Sequence, residues 1–179
     1  MKTLLIVIMS AVIVSGCARS ITSLPQTTQT GSNTFGAKIN GSPWGPMKMV
    51  IVQSVPIIEA RFGGNNSVTI NARNFGSSPT ETEMEIHLKN ITGPGTYQLN
   101  QNTAVYPNES ASYAHFVRRR VRPMEEWITN SQLGGSVTIT KFDPENKIIS
   151  GIFEFQAANI LGGSAPITVT DGRFDVRIQ

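Results

Sequence analysis

The run ASYAHFVRRRVR, residues 111–122, holds the densest set of side chains able to do chemistry. Small or apolar and polar residues alternate there, the period of a strand, which sends successive side chains to opposite faces. Tyr113, His115, Val117, Arg119 and Val121 then share one face, and Phe116, Arg118, Arg120 and Arg122 the other. Arginines two apart from 118 to 122 span about 13 Å at about 3.3 Å per residue. A guanidinium fork grips a carboxylate or phosphate through two parallel hydrogen bonds. The stripe is a candidate anion-binding face, with His115 beside it. The plainer expectation is an edge strand whose charges prevent pairing with other chains, with Glu125 and Glu126 as partners. Trp44 in NGSPWGP and Trp127 in PMEEWIT form a second set. An exposed indole gives a sugar ring an apolar plate, whereas a buried one plugs a core.

Around these residues the signatures of catalysis are missing. There is no GxSxG, HExxH, CxxC or P-loop. Glu81, Glu83 and Glu85 repeat along one strand face, a spacing too unspecific for an acid/base pair. The paired glycines at 63–64, 134–135 and 162–163 read as turns. His87 and His115 are the only histidines. His87 falls on the polar side of its strand and is expected to be exposed. With no free cysteine to join the histidines, neither a metal site nor a cofactor is expected.

Cys17 is the only cysteine. It closes a leader with Lys2 at its start, an apolar run from Leu4 to Val14 broken only by Ser10, and small Ser15 and Gly16. The run has the length of a signal-peptide h-region and falls short of the ~20 residues that span a bilayer. The order Val14-Ser15-Gly16-Cys17 resembles the bacterial lipobox. That resemblance implies acylation of the Cys17 thiol and removal of residues 1–16. Two or more acyl chains anchor stably where one is marginal. Ala18 with no aspartate beside it resembles an outer-membrane sorting signal. The absence of acids in Arg19–Ser23 favours the periplasmic face.

The chain has 179 residues, a net charge of +3, 15% charged and 39% hydrophobic residues. That charge is too thin for a nucleic-acid surface, and the composition suits a folded domain. Residues 18–34, rich in Ser, Thr and Gln, read as a flexible spacer after the lipidated cysteine. Residues 35–179 read as one domain, large enough to bury about 68–70% of its unfolded surface.

Alternation continues through this domain. Residues 58–62 and 68–72 flank the turn GGNN and read as a hairpin. Residues 134–157 read as a long hairpin around Asp143-Pro144-Glu145-Asn146, where Asp accepts from the backbone and Pro presets φ. Ile149, Phe153 and Phe155 share a face, with Ile148 and Ile152 opposite. Asp171-Gly172 is either a hairpin turn or a bulge in one strand. PMEEWIT begins a helical turn or a strand. The expectation is an all-β fold, a single antiparallel sandwich or flattened barrel of about nine or ten strands.

Three further pieces, FGAKINGSPW (35–44), GSVTITKFDPENKIISGIFEF (135–155) and ITVTDGRFDV (167–176), resemble an uncharacterised lipoprotein family typical of the Bacteroidetes. The resemblance implies an all-β body behind a lipidated cysteine and no assigned activity. The function expected is therefore a membrane-anchored envelope lipoprotein, non-enzymatic, that binds a glycan, an anionic ligand or an envelope protein, or serves structurally. The alternatives are a lipocalin-like carrier of an apolar ligand and, last, a glycan-acting enzyme with two carboxyls in one cleft.

Overall fold

The computed structural model describes residues 21–48, 55–76, 81–119 and 124–179. Cys17, Arg120 and Arg122 lie outside these residues. Eleven strands follow in order: β1 (Thr34–Ile39), β2 (Ser42–Trp44), β3 (Ile58–Gly63), β4 (Ser67–Asn74), β5 (Glu81–Leu88), β6 (Gly95–Gln98), β7 (Tyr113–Arg119), β8 (Glu125–Ile128), β9 (Gly135–Asp143), β10 (Ile148–Asn159) and β11 (Ile167–Arg177). All eleven pair antiparallel in one curled sheet, a half-barrel, with main order β2-β1-β11-β10-β8-β7-β5-β4-β3. The all-β expectation holds, with one or two more strands than the turns suggest.

β10 joins the two halves. Over Ile148–Phe155 it pairs with β9, which also carries β6. Past that point Ala158 and Asn159 pair with Ile128 and Trp127 of β8. One half is thus β2-β1-β11-β10-β9-β6 and the other β8-β7-β5-β4-β3. Their inward residues meet in a single core. Phe35, Trp44, Phe116, Trp127, Phe153, Phe155 and Phe174 make much of it, with Trp44 edge-on to both Phe35 and Phe116. Side chains fill the interior, which leaves the carrier reading without support.

Local signals behave as their chemistry requires. Asp143 Oδ1 accepts from Asn146 N at 3.0 Å and closes the 143–146 turn. Residues 125–128 form a strand, not a helical turn. Asp171-Gly172 is a bulge: β11 runs on through it, Asp171 has φ of 53°, and the register with β10 shifts between Phe153 and Phe155. A side chain at Gly172 would sit 2.4 Å from the Phe153 ring, so glycine is required there.

The spacer expectation fails for residues 21–34. This segment lies on the outer face of β10 and β11 as a strap. The Asp175 carboxylate accepts from Thr28 Oγ1 (2.6 Å), Thr30 N (3.0 Å), Gly31 N (2.8 Å), Ser32 N (3.1 Å) and Ser150 Oγ (2.7 Å). Burial alone would raise the Asp175 pKa. The bonds from Thr28, Ser150, Ser32 and Gly31 outweigh that and hold it well below the usual carboxylate range. The same Ser and Thr content that reads as a solvated linker supplies the donors this buried acid needs.

Candidate functional site

Of the stripe, Arg118 alone lies among the described residues. β7 is no edge strand: it lies between β5 and β8. Arg118 extends along the rim of the core, with Cζ 5.4 Å from the Trp127 ring centre and Nη1 3.1 Å from Glu125 Oε2. Arg119 is on the other face, 2.9 Å from Glu83 Oε2. Both described arginines therefore meet carboxylates of the chain itself. Neither tryptophan is a sugar platform. Trp44 is buried and its Nε1 donates to Thr82 Oγ1 at 2.8 Å; Trp127 is buried and donates to Ala165 O at 2.8 Å. Each sits at an inward position of its strand, where apolar area outweighs the one polar atom to be satisfied.

The outer face of β4-β5-β7-β8 holds a ladder of polar groups. Register places Thr69, His87 and Tyr113 in one row, Asn71, Glu85, His115 and Ile128 in the next, and Arg73, Glu83, Val117 and Glu126 in a third. His87 is 4% exposed, which corrects its expected place in solvent. The connection from Leu99 to Ser112 folds over this part of the face, with Tyr106 N bonding Tyr113 Oη at 3.1 Å. Beneath it His87 stacks on Tyr113 at 5.3 Å, His87 Nδ1 bonds Thr69 at 2.9 Å, and Tyr113 Oη donates to Glu85 Oε1 at 2.5 Å. His115 Nε2 lies 3.6 Å from Glu126 Oε2.

Burial lowers the pKa of His87 against the opposing pull of Glu109 and Glu85. Burial likewise lowers that of His115 against Glu126 and Glu85. Burial and the Glu85 carboxylate push the Tyr113 phenol well above its usual range. Glu83 is drawn the other way. Burial would raise its pKa, but Arg119 and Asn71 outweigh that and lower it. Of these groups the covering loop buries His87 and Tyr113, while His115, Glu83 and Glu126 keep part of their surface in solvent. Among the described residues no group of three His, Cys, Asp or Glu is placed to hold a metal ion.

At the end of this ladder a cleft of about 530 Å³ opens. Asn65 and Asn66 enter it from the β3–β4 turn, Lys89 and Asn90 from the end of β5, Gln98 and Gln101 from β6 and beyond. Ser110 and Ser112 close the wall. Asn65, Asn66 and Asn90 have φ of 55°, 50° and 57°, the left-handed region that asparagine tolerates best after glycine. Ile91 N donates to Asn66 O at 2.8 Å and Lys89 N to Ser112 Oγ at 3.0 Å, which ties the three loops together. Among the described residues the five side-chain amides have no hydrogen-bond partner, and no carboxylate lines the cleft. Amides both donate and accept, so this wall suits hydroxyl groups.

A second cleft, outside β9-β10-β11, holds two carboxylates, Glu154 and Asp171. Lys38 Nζ is 2.9 Å from Asp171 Oδ2, and this pairing holds the exposed Asp171 below its usual pKa. A glycosidase pair needs one carboxyl kept protonated in a dry pocket. Glu154 and Asp171 are both exposed, so the cleft provides no such pocket.

The family described as a domain of unknown function, DUF6252, matches residues 56–176. The chain belongs to this family. No curated protein and no solved structure matches it. The expected kinship to an uncharacterised family therefore holds at the level of DUF6252; lipid attachment and a Bacteroidetes origin are separate matters on which the match is silent. The DUF6252 span runs from just ahead of β3 into β11 and takes in every residue of the amide cleft and of the polar ladder. It leaves out the strap and β1–β2. The amides escaped the sequence reading because Asn and Gln in turns are ordinary turn chemistry. The paired asparagines of GGNN, together with Asn90 before a turn, are the one available signal.

Proposed function

We propose that this chain is a lipid-anchored cell-envelope protein whose β body binds a neutral, hydroxyl-rich ligand, a glycan, in the amide-lined cleft, without catalysing its turnover. The observation that carries this reading is the convergence, from the β3–β4 turn, the β5–β6 connection and the end of β6, of five amides that have no partner among the described residues, on one cleft to which the described residues bring no carboxylate. Such a wall matches sugar hydroxyls and offers nothing to a phosphate except Lys89. With no aromatic plate, affinity comes from hydrogen bonds of about 0.5–1.5 kcal/mol each, and a Kd on the order of 0.1–1 mM follows. The lipobox-like VSGC supports attachment at Cys17, with an outer-membrane position on the periplasmic face.

The test uses the full chain and neutral oligosaccharides: glucans, mannans and N-acetylglucosamine oligomers. At least one class is retained in affinity electrophoresis. Gln98→Ala with Gln101→Ala weakens that retention at least tenfold while the thermal midpoint stays put, since both side chains are exposed and unbonded. If no neutral glycan is retained, or the double variant retains it equally, the cleft is not a glycan site. Separately, Cys17→Ser releases the protein from the membrane fraction and abolishes fatty-acid labelling.

A further inference from the structure

Pairing register defines one end of the sheet. Asn74 on β4, Thr82 on β5, Arg118 on β7 and Glu125 on β8 stand in a single row. Asn74 Nδ2 donates to Gly45 O at 2.7 Å, and Ile21 packs against Gly45. At the far side of the row Ile160 N donates to Glu126 O at 2.9 Å, and Ser164 Oγ bonds Glu125. The start of the strap and the β10–β11 loop therefore share this end. So do Val55, ahead of β3, and Met124, ahead of β8.

Four of the seven exposed large apolar residues among the described ones gather here: Val55 (37% exposed), Met124 (41%), Ile160 (50%) and Leu161 (53%). Lys48 is exposed beside them, next to Met47, which bridges Asn74. The amide cleft is at the opposite end. Asn65 follows Ile58 by the length of β3, about 23 Å at about 3.3 Å per residue.

The strap also sets the leash. From Cys17 to Ile21 the chain reaches at most about 14 Å. A flexible segment to residue 34 would have let the body roam several times farther; bonded to Asp175, it does not. We propose that this end docks on the lipid surface that holds Cys17, with Ile160 and Leu161 in the interface, Lys48 among the headgroups and the cleft facing away from the membrane. This rests on the lipid anchor proposed above. An anchor exit, an apolar cluster and a cation at one end, with the polar cleft at the other, is the polarity a tethered receptor needs.

An acylated Cys17 has no free thiol, so Leu161→Cys introduces the single reactive one. The full acylated chain, labelled there with bimane, is reconstituted in phosphatidylethanolamine–phosphatidylglycerol vesicles carrying nitroxide lipid. Ile160→Cys is a second proximal site and Gln101→Cys the distal control. Quenching at 161 and 160 is expected to exceed that at 101 at least threefold. Equal quenching at both ends, or stronger quenching at 101, overturns the docking. A spectral shift at 161 that needs no lipid and grows with protein concentration assigns the patch to a second copy and also overturns it. The mass of the same preparation separates the two readings. Acyl mass on Cys17 with equal quenching overturns the docking and leaves the anchor; no acyl mass overturns both.

Discussion

Asp175 and the His87–His115 ladder are polar groups taken out of water on the outer faces of opposite halves of one sheet. They are satisfied to different degrees. The Asp175 carboxylate receives five donors within 3.1 Å. On the ladder and its covering loop His87 Nε2, His115 Nε2, Asn71 Oδ1 and Glu109 Oε2 are buried without a hydrogen bond among the described residues. A fully satisfied buried charge acts as a clamp, and it fixes the strap. A partly satisfied set costs free energy at every open position and leaves groups that titrate. The first region is built for holding and the second tolerates change.

The largest expected effect removes the clamp. Asp175→Ala strands three backbone N–H groups and two hydroxyls, and should cost about 3 kcal/mol in urea unfolding. It should also make residues 21–33 more readily cleaved in limited proteolysis than in the wild type. If the strap stays protected, Asp175 is not what holds it. Next is Tyr113→Phe, which removes the donor to Glu85 and the acceptor for Tyr106 N. A loss of about 1–2 kcal/mol is expected, together with faster amide exchange in residues 103–110. Unchanged exchange would mean the loop is held by its other bonds, among them Ser110 N to Thr103 Oγ1 at 2.8 Å and Asn108 N to Val105 O at 3.2 Å.

The pH dependence sharpens the contrast at smaller amplitude. Folded His87 and His115 have pKa values below the ordinary 6.5. Above pH 6.5 both states are neutral and the histidines contribute nothing. Below it the unfolded chain takes protons first, so stability falls and then levels off below the folded values. Each tenfold preference is about 1.4 kcal/mol. Asp175 has the same preference in the fold for its deprotonated form, which here is the charged one: its stabilisation is full above the ordinary Asp value of about 3.9 and is lost as pH falls below it. Stability should therefore decline in two separate acid limbs. His87→Gln with His115→Gln should remove the upper limb, and Asp175→Asn should shrink the lower, to which Glu83 and Asp171 also contribute. A single limb, unaffected by the histidine changes, would refute the assignment.

Much of the fold was legible because strand periodicity and turn chemistry act over a few residues. The 58–72 and 134–157 hairpins needed only alternation flanking GGNN and Asp-Pro-Glu-Asn. The 171–172 bulge was one of two stated options, and close approach to Phe153 decided it. His87 and residues 21–34 depart from their sequence expectation for one shared reason. A polar position on a strand is normally wet, and a Ser/Thr-rich segment is normally free. Both rules fail when another part of the chain covers the outer face.

The sequence alone determined that this is an all-β domain, which residues form its turns, and that VSGC resembles a lipid-attachment signal, since these depend on neighbours along the chain. Tertiary structure decided which outer faces are covered and what each polar group meets. It moved Trp44 and Trp127 into the core and gave Arg118 and Arg119, which alternation already sets on opposite faces, a carboxylate each. It also brought Asn65, Asn90 and Gln101 to one cleft. Alternation divides a strand into two faces, but only the fold brings distant loops together and settles which side keeps its water.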